Sequence, residues 1–452
     1  MIVQLPHGIR HGLALALLLA GCATYRPAPL SDNPALLSPP VLAAVARDAA
    51  AIERPFLRPA AIDLGQPLDP NAIATLTVLL NPDLRALRER AGVADAQAFA
   101  AGLLPDPSFS LGADQVLAGP DTMLGIAASF GVNLAALRTR RVAREQASAE
   151  ARRVRLDLAW AEWQTSGQAR IQAARIVALE RAQALARAAR DDAQSILDRM
   201  LRAAGRGDIL PDQVQAARIA AFDAAERLRT TERDLAAARF ELTRLIGLPP
   251  GYPLRLAPAR LILSPSNADA LFAIALRSRA DLQALRSGYA AQEAAVHKAV
   301  LDQFPALDLS INGARDTGGN TTLGPSVSFT LPLWNRNRGG IAIERATRAA
   351  LRADYEARLF QTRGEIAAAV DGLRILARQR ATLLADLPAL ERFAAANRRA
   401  AERGDLALAT AITAGQALRD KQILLAQAER DIAEQTIALE LLTGTPREAW
   451  AQ

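Results

Sequence analysis

The sequence is poor in the residues that build disulfides and metal clusters. Its 452 residues include one cysteine, three histidines and three methionines. A single cysteine excludes an intramolecular disulfide, and the histidines and methionines are too few and too scattered to predict a metal site. We therefore expect no metal and no other cofactor.

Motifs that carry enzymatic chemistry are also missing. The chain contains no GxxxxGK[ST] phosphate loop, no nucleophile elbow and no metal-ligand spacing. We predict that the protein is not an enzyme. Any energy that its function requires would then come from a partner.

Aromatic residues and lysine are scarce, whereas alanine, leucine and arginine are abundant. Half of the residues are hydrophobic but only 4% are aromatic, which favours helices with small-residue cores. Lys298 and Lys421 are the only lysines, and the formal net charge is +7. Acidic and basic residues alternate along the chain without a basic block, which is typical of solvated helix faces. We expect no nucleic-acid partner.

The N-terminus carries a secretion signal. Residues 12–20 form an apolar run that is too short to span a bilayer, so residues 1–21 are predicted to be a signal peptide. The tetrad Leu19-Ala20-Gly21-Cys22 resembles the lipobox of bacterial lipoproteins. This resemblance implies that Cys22 is lipidated, which would anchor the chain in one leaflet, and that Ala23 directs it to the outer membrane. A proline-rich segment, residues 22–70, is then predicted to be an extended arm.

The rest of the chain is an internal repeat. Similar stretches recur at an offset of 197–200 residues, which predicts two copies of one unit joined by an equatorial connector. The matching stretches are PDLRALR and ADLQALR, LLPDPSFSLGAD and QFPALDLSINGARD, and LGIAASFGVNL and LGPSVSFTLPL. We place repeat 1 at 71–248, the connector at 249–276, repeat 2 at 277–446 and a C-terminal tail at 447–452.

Each repeat contains two segments with strand periodicity. Apolar and small polar residues alternate over about ten residues, the length of a tilted strand that crosses a bilayer. The strands are predicted at about 107–117, 124–134, 306–315 and 323–333. Isolated hairpins of this kind would be poorly stable in water.

Long helices occupy the remainder of each repeat. Residues 138–203 lack proline, which predicts a helix of about 100 Å. A second helix, of about 34 residues, is predicted at 71–104, before the strands of repeat 1. After the long helix, apolar residues step by three and four, as in a coiled-coil seam. The seam of repeat 1 comprises Val214, Ala217, Ala221, Ala224, Leu228, Thr231, Leu235, Ala238, Leu242 and Leu245.

The triplet Arg-Gly-Asp occurs at residues 206–208 and again at 403–405. We interpret it as the tip of a helical hairpin, because Gly207 and Gly404 can adopt the left-handed conformation that ends a helix. Asp208 and Asp405 are predicted to cap the returning helices. The tips are placed at 204–208 and 402–405.

This combination resembles the TolC-like outer-membrane efflux family, including its lipoprotein branch. The resemblance covers nearly all of the chain after the arm. It implies an α+β fold in which a homotrimer forms a twelve-stranded β-barrel, four strands per chain, continued by a long α-helical coiled-coil barrel. It also implies an exit duct for small molecules or ions in the outer membrane, reaching into the periplasm and served by a periplasmic adaptor and an inner-membrane pump.

By the same resemblance, the adaptor docks at the tips, on Arg206, Gly207, Asp208, Arg403, Gly404 and Asp405. Some relatives narrow the mouth with acidic rings after the second tip. The matching positions here are Thr410 and Thr413, which carry no charge. Asp208, Asp212 and Asp405 are the nearby acidic candidates for a periplasmic gate.

A second hypothesis is a non-channel lipoprotein, a coiled-coil spacer of the cell envelope. The period-two hairpins discriminate between the two, because a spacer has no use for lipid-facing strands.

Overall fold

A computed structural model describes residues 25–119, 123–258, 261 and 267–450. The chain divides into two units, residues 1–39 and 40–452. In the described part of the first unit, the regular structure is a 3-10 turn at Ala35–Leu37. The predicted signal peptide and Cys22 lie outside the described residues.

The second unit contains both repeats. Its helices are α1 (Leu42–Ala50), α2 (Pro70–Leu80), α3 (Pro82–Gly102), α4 (Leu134–Gly205), α5 (Pro211–Ile246), α6 (Ala268–Ser278), α7 (Ala280–Leu301), α8 (Arg338–Glu402) and α9 (Leu408–Thr443). Its strands are β1 (Ser108–Asp114), β2 (Gly125–Asn133), β3 (Leu307–Arg315) and β4 (Thr321–Phe329).

The arm is less extended than the sequence predicts. Residues 42–50 form α1, whose Val45 and Ala49 are buried in the core around α2 and α5. Leu68 forms a short parallel bridge with Leu256 of the connector. The prolines therefore separate short packed segments, and the part of the arm after residue 40 belongs to the core.

The helix predicted at 71–104 is two helices. α2 ends and α3 begins at Asn81, whose backbone is extended (φ −60°, ψ 125°). Pro82 explains this break, because a residue that precedes proline is driven out of the helical region. Pro82 then occupies the first turn of α3, where its missing N–H costs nothing.

Repeat 2 has the same break without a proline. Its first helix, α6, begins at Ala268, which is earlier than the predicted start at 277, and Asn267 caps it by accepting the Asp269 N–H. Arg279 is extended (φ −65°, ψ 119°) between α6 and α7. We call the breaks at Asn81 and Arg279 the two joints.

The four strands form one antiparallel sheet in the order β1-β2-β3-β4. The central pair joins the repeats, with Phe130 of β2 opposite Ile311 of β3. β1 and β4 end earlier than the predicted strands, at Asp114 and Phe329. Pro332 lies shortly beyond β4 and cannot donate to a ladder, so residues 330–337 form a connection to α8.

The long helices pack side by side in the order α5, α4, α9, α8. α5 lies along one part of α4, and α3 packs against α4 beyond the end of α5. In the α5 seam, every predicted position is buried except Ala224 and Thr231, which are half-buried. The seam therefore forms the contact between α5 and α4, as its periodicity predicts.

The two repeats approach closely where α4 crosses α9. A Cβ at Gly167 would lie 2.5 Å from Leu441 Cδ2, so any larger residue there would force the Leu441 side chain to move. One turn earlier, buried Trp163 donates from Nε1 to the Leu441 carbonyl at 3.3 Å. These contacts fix the central pair of helices.

Candidate functional site

The sheet has one apolar face, which is exposed. Cross-strand register places apolar residues in rows, because residues directly opposite share a face. One row comprises Phe109, Phe130, Ile311 and Pro325, and the next comprises Leu111, Ala128, Gly313 and Leu323. Phe109 and Leu111 are each 69% exposed, and Leu323 is 80% exposed. A contiguous exposed apolar face of this kind is typical of a surface that contacts a membrane or another protein.

The opposite face is small and polar. Its rows comprise Ser108, Gly131, Ser310 and Ser326, then Ser110, Ser129, Asn312 and Gly324, and then Asn133, Asp308 and Ser328. Short side chains leave space above this face and offer hydroxyl and amide groups to water. The sheet therefore separates an apolar side from a hydrated side.

Among the described residues, both edges of the sheet are open. There, β1 pairs only with β2, and β4 pairs only with β3. The helical layer has the same arrangement, with α5 and α8 as its outer members. Unpaired strand edges are templates for further strands, so both edges offer backbone groups to which another strand can bind.

The hairpin tips have the predicted left-handed glycines. Gly207 has φ +78° and Gly404 has φ +82°. At the first tip Asp208 N–H donates to the Ala203 carbonyl at 3.0 Å, and at the second Asp405 N–H donates to the Ala400 carbonyl at 2.9 Å. With the neighbouring glycine bonds, these contacts form a Schellman motif at each tip.

The tip aspartates do not cap the returning helices, contrary to the prediction. The residues at the N-cap positions are Leu210 and Ala407, neither of which makes a side-chain cap bond. Instead Asp208 accepts from Arg206 Nε at 2.8 Å, and the matching pair of Asp405 and Arg403 is 2.9 Å apart. Two further residues separate each aspartate from its helix, which puts the carboxylate out of reach of the first free N–H groups.

The two predicted gate threonines lie near the start of α9. Both are exposed, and Thr413 donates its hydroxyl to the Ala409 carbonyl at 3.0 Å. Asp212 belongs to the first turn of α5, and its side chain lies outside the described part of the structure.

The joint in repeat 1 is neutral. Asn81 accepts the Leu84 N–H at 2.9 Å and donates from Nδ2 to the Leu245 carbonyl of α5 at 2.7 Å. Gly247, which ends α5 with φ +90°, faces the Leu80 carbonyl, where a Cβ would collide with backbone. The side chain of Asn81 therefore holds the end of one helix against the end of another.

The joint in repeat 2 is ionic. Arg279 is 1% exposed, and it donates to both Asp281 oxygens, at 2.9 and 2.7 Å, and to the Leu442 carbonyl at 3.1 Å. Arg358 of α8 donates to the same carboxylate. Burial raises the pKa of the Asp281 carboxyl, but the bonds from the two arginines outweigh it, so this pKa is lowered. Arg279 also lies over the ring of Trp160, 4.7 Å from its centroid.

A third buried charge fixes the arm. Glu162 of α4 is 2% exposed and accepts from Arg54 of the arm, at 2.6 Å, and from Arg88 of α3, at 2.7 Å. No local sequence signal predicts this contact, because the two arginines lie 108 and 74 residues from Glu162 along the chain. Two guanidiniums around one carboxylate compensate its desolvation.

The described residues contain no group of three or more His, Cys, Asp or Glu side chains placed to hold a metal ion. In this same part of the chain, no helix is both long enough and apolar enough to cross a membrane.

Comparison with known proteins identifies the family that the second repeat resembles. Residues 271–445 match the outer membrane efflux protein family. The resemblance to TolC-like outer-membrane efflux proteins that the sequence motifs predict is thereby confirmed. No curated protein sequence matches the chain.

Solved structures share the fold over most of the chain. The outer membrane protein VceC of Vibrio cholerae is 18% identical with a TM-score of 0.70, over 83% of this chain and 96% of VceC. The CmeC outer membrane channel of Campylobacter jejuni is 14% identical with a TM-score of 0.69, over 94% of each chain. The open MtrE outer membrane channel of Neisseria gonorrhoeae is 16% identical with a TM-score of 0.69, over 82% and 88%. The α+β fold, with a four-stranded sheet and a long helical layer, is the fold of these channels.

Proposed function

We propose that the protein is an outer-membrane channel, the passive exit duct of a tripartite efflux pump. The observation that carries this proposal is the two-sided sheet: an exposed apolar face suits lipid, and a small polar face suits a water-filled lumen. Similarity to the efflux family and to three outer-membrane channel structures supports it. The duct passes small molecules or ions.

The functional unit is a homotrimer. Four strands with two open edges cannot sit in lipid, because unpaired backbone groups are costly there. Three copies supply twelve strands and close the barrel when β4 of one copy pairs with β1 of the next. The same closure brings the free side of α8 against the free side of α5, which continues the barrel as a ring of helices.

The hairpin tips dock a periplasmic adaptor, which connects the duct to an inner-membrane pump. Both tips end in an exposed Arg-Asp pair on a left-handed glycine turn, so they offer the same shape and the same donors twice. No residue in the described part of the chain covers either glycine, since a Cβ at Gly207 or Gly404 would meet no atom there within 4 Å. An exposed turn with a fixed shape suits recognition by another protein. Asp212, Thr410 and Thr413, which follow the tips, line the periplasmic entrance.

Cys22 carries a lipid anchor after removal of residues 1–21. Its acyl chains add to the hold of the barrel on the membrane and are not required for the barrel to form. Mass spectrometry of the mature N-terminus tests this point. An unmodified Cys22, or cleavage at another residue, would contradict it.

The lipid-facing side of the sheet provides the test of the channel. Phe130→Arg puts a charge on the apolar face and should impair insertion, because arginine near the middle of the bilayer costs about 2–4 kcal/mol. Ser129→Arg, on the neighbouring residue and the opposite face, should insert and change the conductance in planar bilayers. Membrane fractionation and heat-sensitive trimer migration measure insertion. Equal tolerance of arginine on both faces would contradict the assignment of lipid and lumen.

The alternative is a coiled-coil spacer lipoprotein. A spacer would form no ion-conducting pore, so absence of conductance from purified, reconstituted trimers would favour it. The exposed apolar face of the sheet argues against this alternative, because a spacer has no membrane phase to cover that face.

A further inference from the structure

The two repeats connect sheet and helix differently. In repeat 1, β2 ends at Asn133 and α4 starts at Leu134, so the strand continues directly into the helix. In repeat 2, residues 330–337 intervene between β4 and α8. We call this segment, with the sequence TLPLWNRN, the junction loop. It lies at the helical end of the sheet.

The junction loop exposes large apolar side chains. Trp334 is 90% exposed, and Leu331 and Leu333 are 62% and 60% exposed. By contrast, Trp163 is buried, and Trp160 and Trp450 are half-buried. Leu331 and Leu333 follow Val327 and Phe329 at two-residue intervals, but the Leu333 N–H donates to the Leu331 carbonyl at 2.9 Å, a tight turn that ends the alternation of β4. Arg336, within the loop, and Arg338, the first residue of α8, are both exposed.

The loop is held in a specific shape. Arg336 and Asn337 have φ of +45° and +51°, values that cost free energy for residues other than glycine. Asn337 Nδ2 donates to the Ala299 carbonyl of α7 at 2.8 Å, which ties the turn to the end of a neighbouring helix. Gly340 leaves room for this amide, because a Cβ there would overlap Asn337 Oδ1. A strained turn pinned at one end presents Trp334 outward.

We propose that the junction loop is an interfacial anchor that binds the phospholipid headgroup region of the periplasmic leaflet. A nine-residue strand is about 30 Å long, and at a tilt of about 35–45° it spans about 21–25 Å, close to the apolar band of about 25 Å found in outer-membrane barrels. Trp334 lies five residues beyond Phe329, the last residue of β4, at the helical end of the sheet and therefore next to the boundary of that band. Tryptophan favours this depth because its ring is apolar and its N–H is polar.

The charges next to Trp334 fit the same ligand. Arg336 and Arg338 present planar guanidiniums that match phosphate oxygens, and each basic residue near an anionic membrane surface adds to binding. Neither arginine has an ion-pair partner among the described residues. The inference rests on the proposed channel function, since it requires the barrel to lie in a membrane.

Fluorescence of the reconstituted full-length trimer tests the anchor. The difference between the wild-type protein and Trp334→Phe isolates the emission of Trp334. In vesicles containing phosphatidylglycerol, we expect that emission to be blue-shifted, protected from aqueous acrylamide and quenched by lipids brominated near the glycerol backbone. This quenchable component should be lost in Trp334→Phe and retained in Trp160→Phe. Arg336→Gln with Arg338→Gln should weaken the quenching, whereas Arg345→Gln, on the exposed surface of α8 further along the helix, should not.

A second probe separates failure of the anchor from failure of the channel. Phe329→Trp in the Trp334→Phe background should be quenched by lipids brominated deeper in the acyl chains. If this probe is not quenched, the barrel is not in lipid and the proposed function fails. If it is quenched while Trp334 responds only to acrylamide, the loop lies in water and the anchor is wrong. If neither quencher reaches Trp334, the loop is covered by a second copy of the chain, which also overturns the anchor.

Discussion

The joints of the two repeats have one geometry and two chemistries. In each, an extended residue separates two stacked helices, and a left-handed glycine that ends a third helix packs against it, Gly247 at Asn81 and Gly444 at Arg279. In each, a side chain from the break donates to a carbonyl in the last turn of that third helix, Leu245 or Leu442. Repeat 1 uses a neutral amide and repeat 2 a buried guanidinium.

This difference shows that the backbone arrangement, rather than a particular residue, is what the repeats share. Repeat 1 forms the break locally, because Pro82 forces Asn81 out of the helix. Repeat 2 has no proline at the break, and Arg279 combines a local bond to Asp281 with tertiary contacts to Trp160 and Leu442. The ionic joint should therefore be the more sensitive of the two to substitution and to pH.

The largest expected effect is at Arg279. Arg279→Ala should lower the free energy of unfolding by about 3–5 kcal/mol, because it removes one partner of a buried ion pair. Asn81→Ala should cost less, about 1–3 kcal/mol, since it leaves unpaired polar groups but no buried charge. Denaturant unfolding of the detergent-solubilised protein measures both. Arg279→Lys should fall between them, because it keeps the charge but loses the fork of donors. Equal losses of unfolding free energy in Arg279→Ala and Asn81→Ala would show that the buried ion pair adds no stability beyond that of a neutral joint.

The glycines distinguish the joints from the tips. Backbone strain should be similar at all four, about 1–2 kcal/mol for alanine in the left-handed region. Overlap adds about 1–3 kcal/mol at the joints, since a Cβ at Gly444 would lie 2.9 Å from Arg279 Cα, whereas a Cβ at Gly207 or Gly404 would meet nothing within 4 Å. Gly247→Ala and Gly444→Ala should therefore reduce the amount of folded trimer more than Gly207→Ala and Gly404→Ala.

The tip variants should instead fail in a functional assay. Gly207→Val combined with Gly404→Val should give inserted trimers with weakened cross-linking to the adaptor and impaired export. Arg206→Lys with Arg403→Lys, which preserves the turn, should be milder. Normal export by the valine variant together with failure of the lysine variant would mean that side-chain recognition, rather than turn shape, is the property of the tips that matters.

The smallest effect concerns acid. The folded-state pKa of Asp281 is lowered, so its contribution is fully present above the unfolded-state value of about 3.9 and is lost as the pH falls through the folded-state pKa. Asn81, which occupies the position in repeat 1 that corresponds to Arg279, has a side chain that does not titrate. Between pH 7 and about pH 3, the melting temperature should fall less in Asp281→Asn than in the wild-type protein. Asp269→Asn, at an exposed carboxylate, is the matched control and should leave the acid sensitivity unchanged.

Sequence periodicity predicted the features that depend on local pattern. The alternation around Phe130 and Ile311 identified the strands and their apolar face, and the spacing from Val214 to Leu245 identified the seam. Gly207 was predicted to be left-handed because a long uninterrupted helix has to end before it can return. These are properties of neighbouring residues, so they can be read without knowing the packing.

Features that depend on distant residues were missed. The break at Asn81 did have a local signal, Pro82, although the prediction of one helix over 71–104 placed this proline in the helix interior. Arg279 had none, because its conformation is fixed by contacts with other helices. The capping assignment for Asp208 failed because Pro211, a favoured first helical residue, marks the true start of α5. The contact of Arg54 with Glu162 also had no local signal, because the two residues are far apart in sequence and meet only when the arm folds onto α4.

The matching tips have a consequence for the stoichiometry of the assembly. Gly207 and Gly404 have nearly the same φ, and each is flanked by an Arg-Asp pair with nearly the same Nε–Oδ2 distance, 2.8 and 2.9 Å. A trimer of such chains would present six quasi-equivalent turns, which approximates sixfold symmetry at a threefold-symmetric mouth. A partner that contacts only the turn would then bind in a ratio of two per chain, whereas one that also reads the differing flanks, Leu210 and Ala407, would bind one per chain.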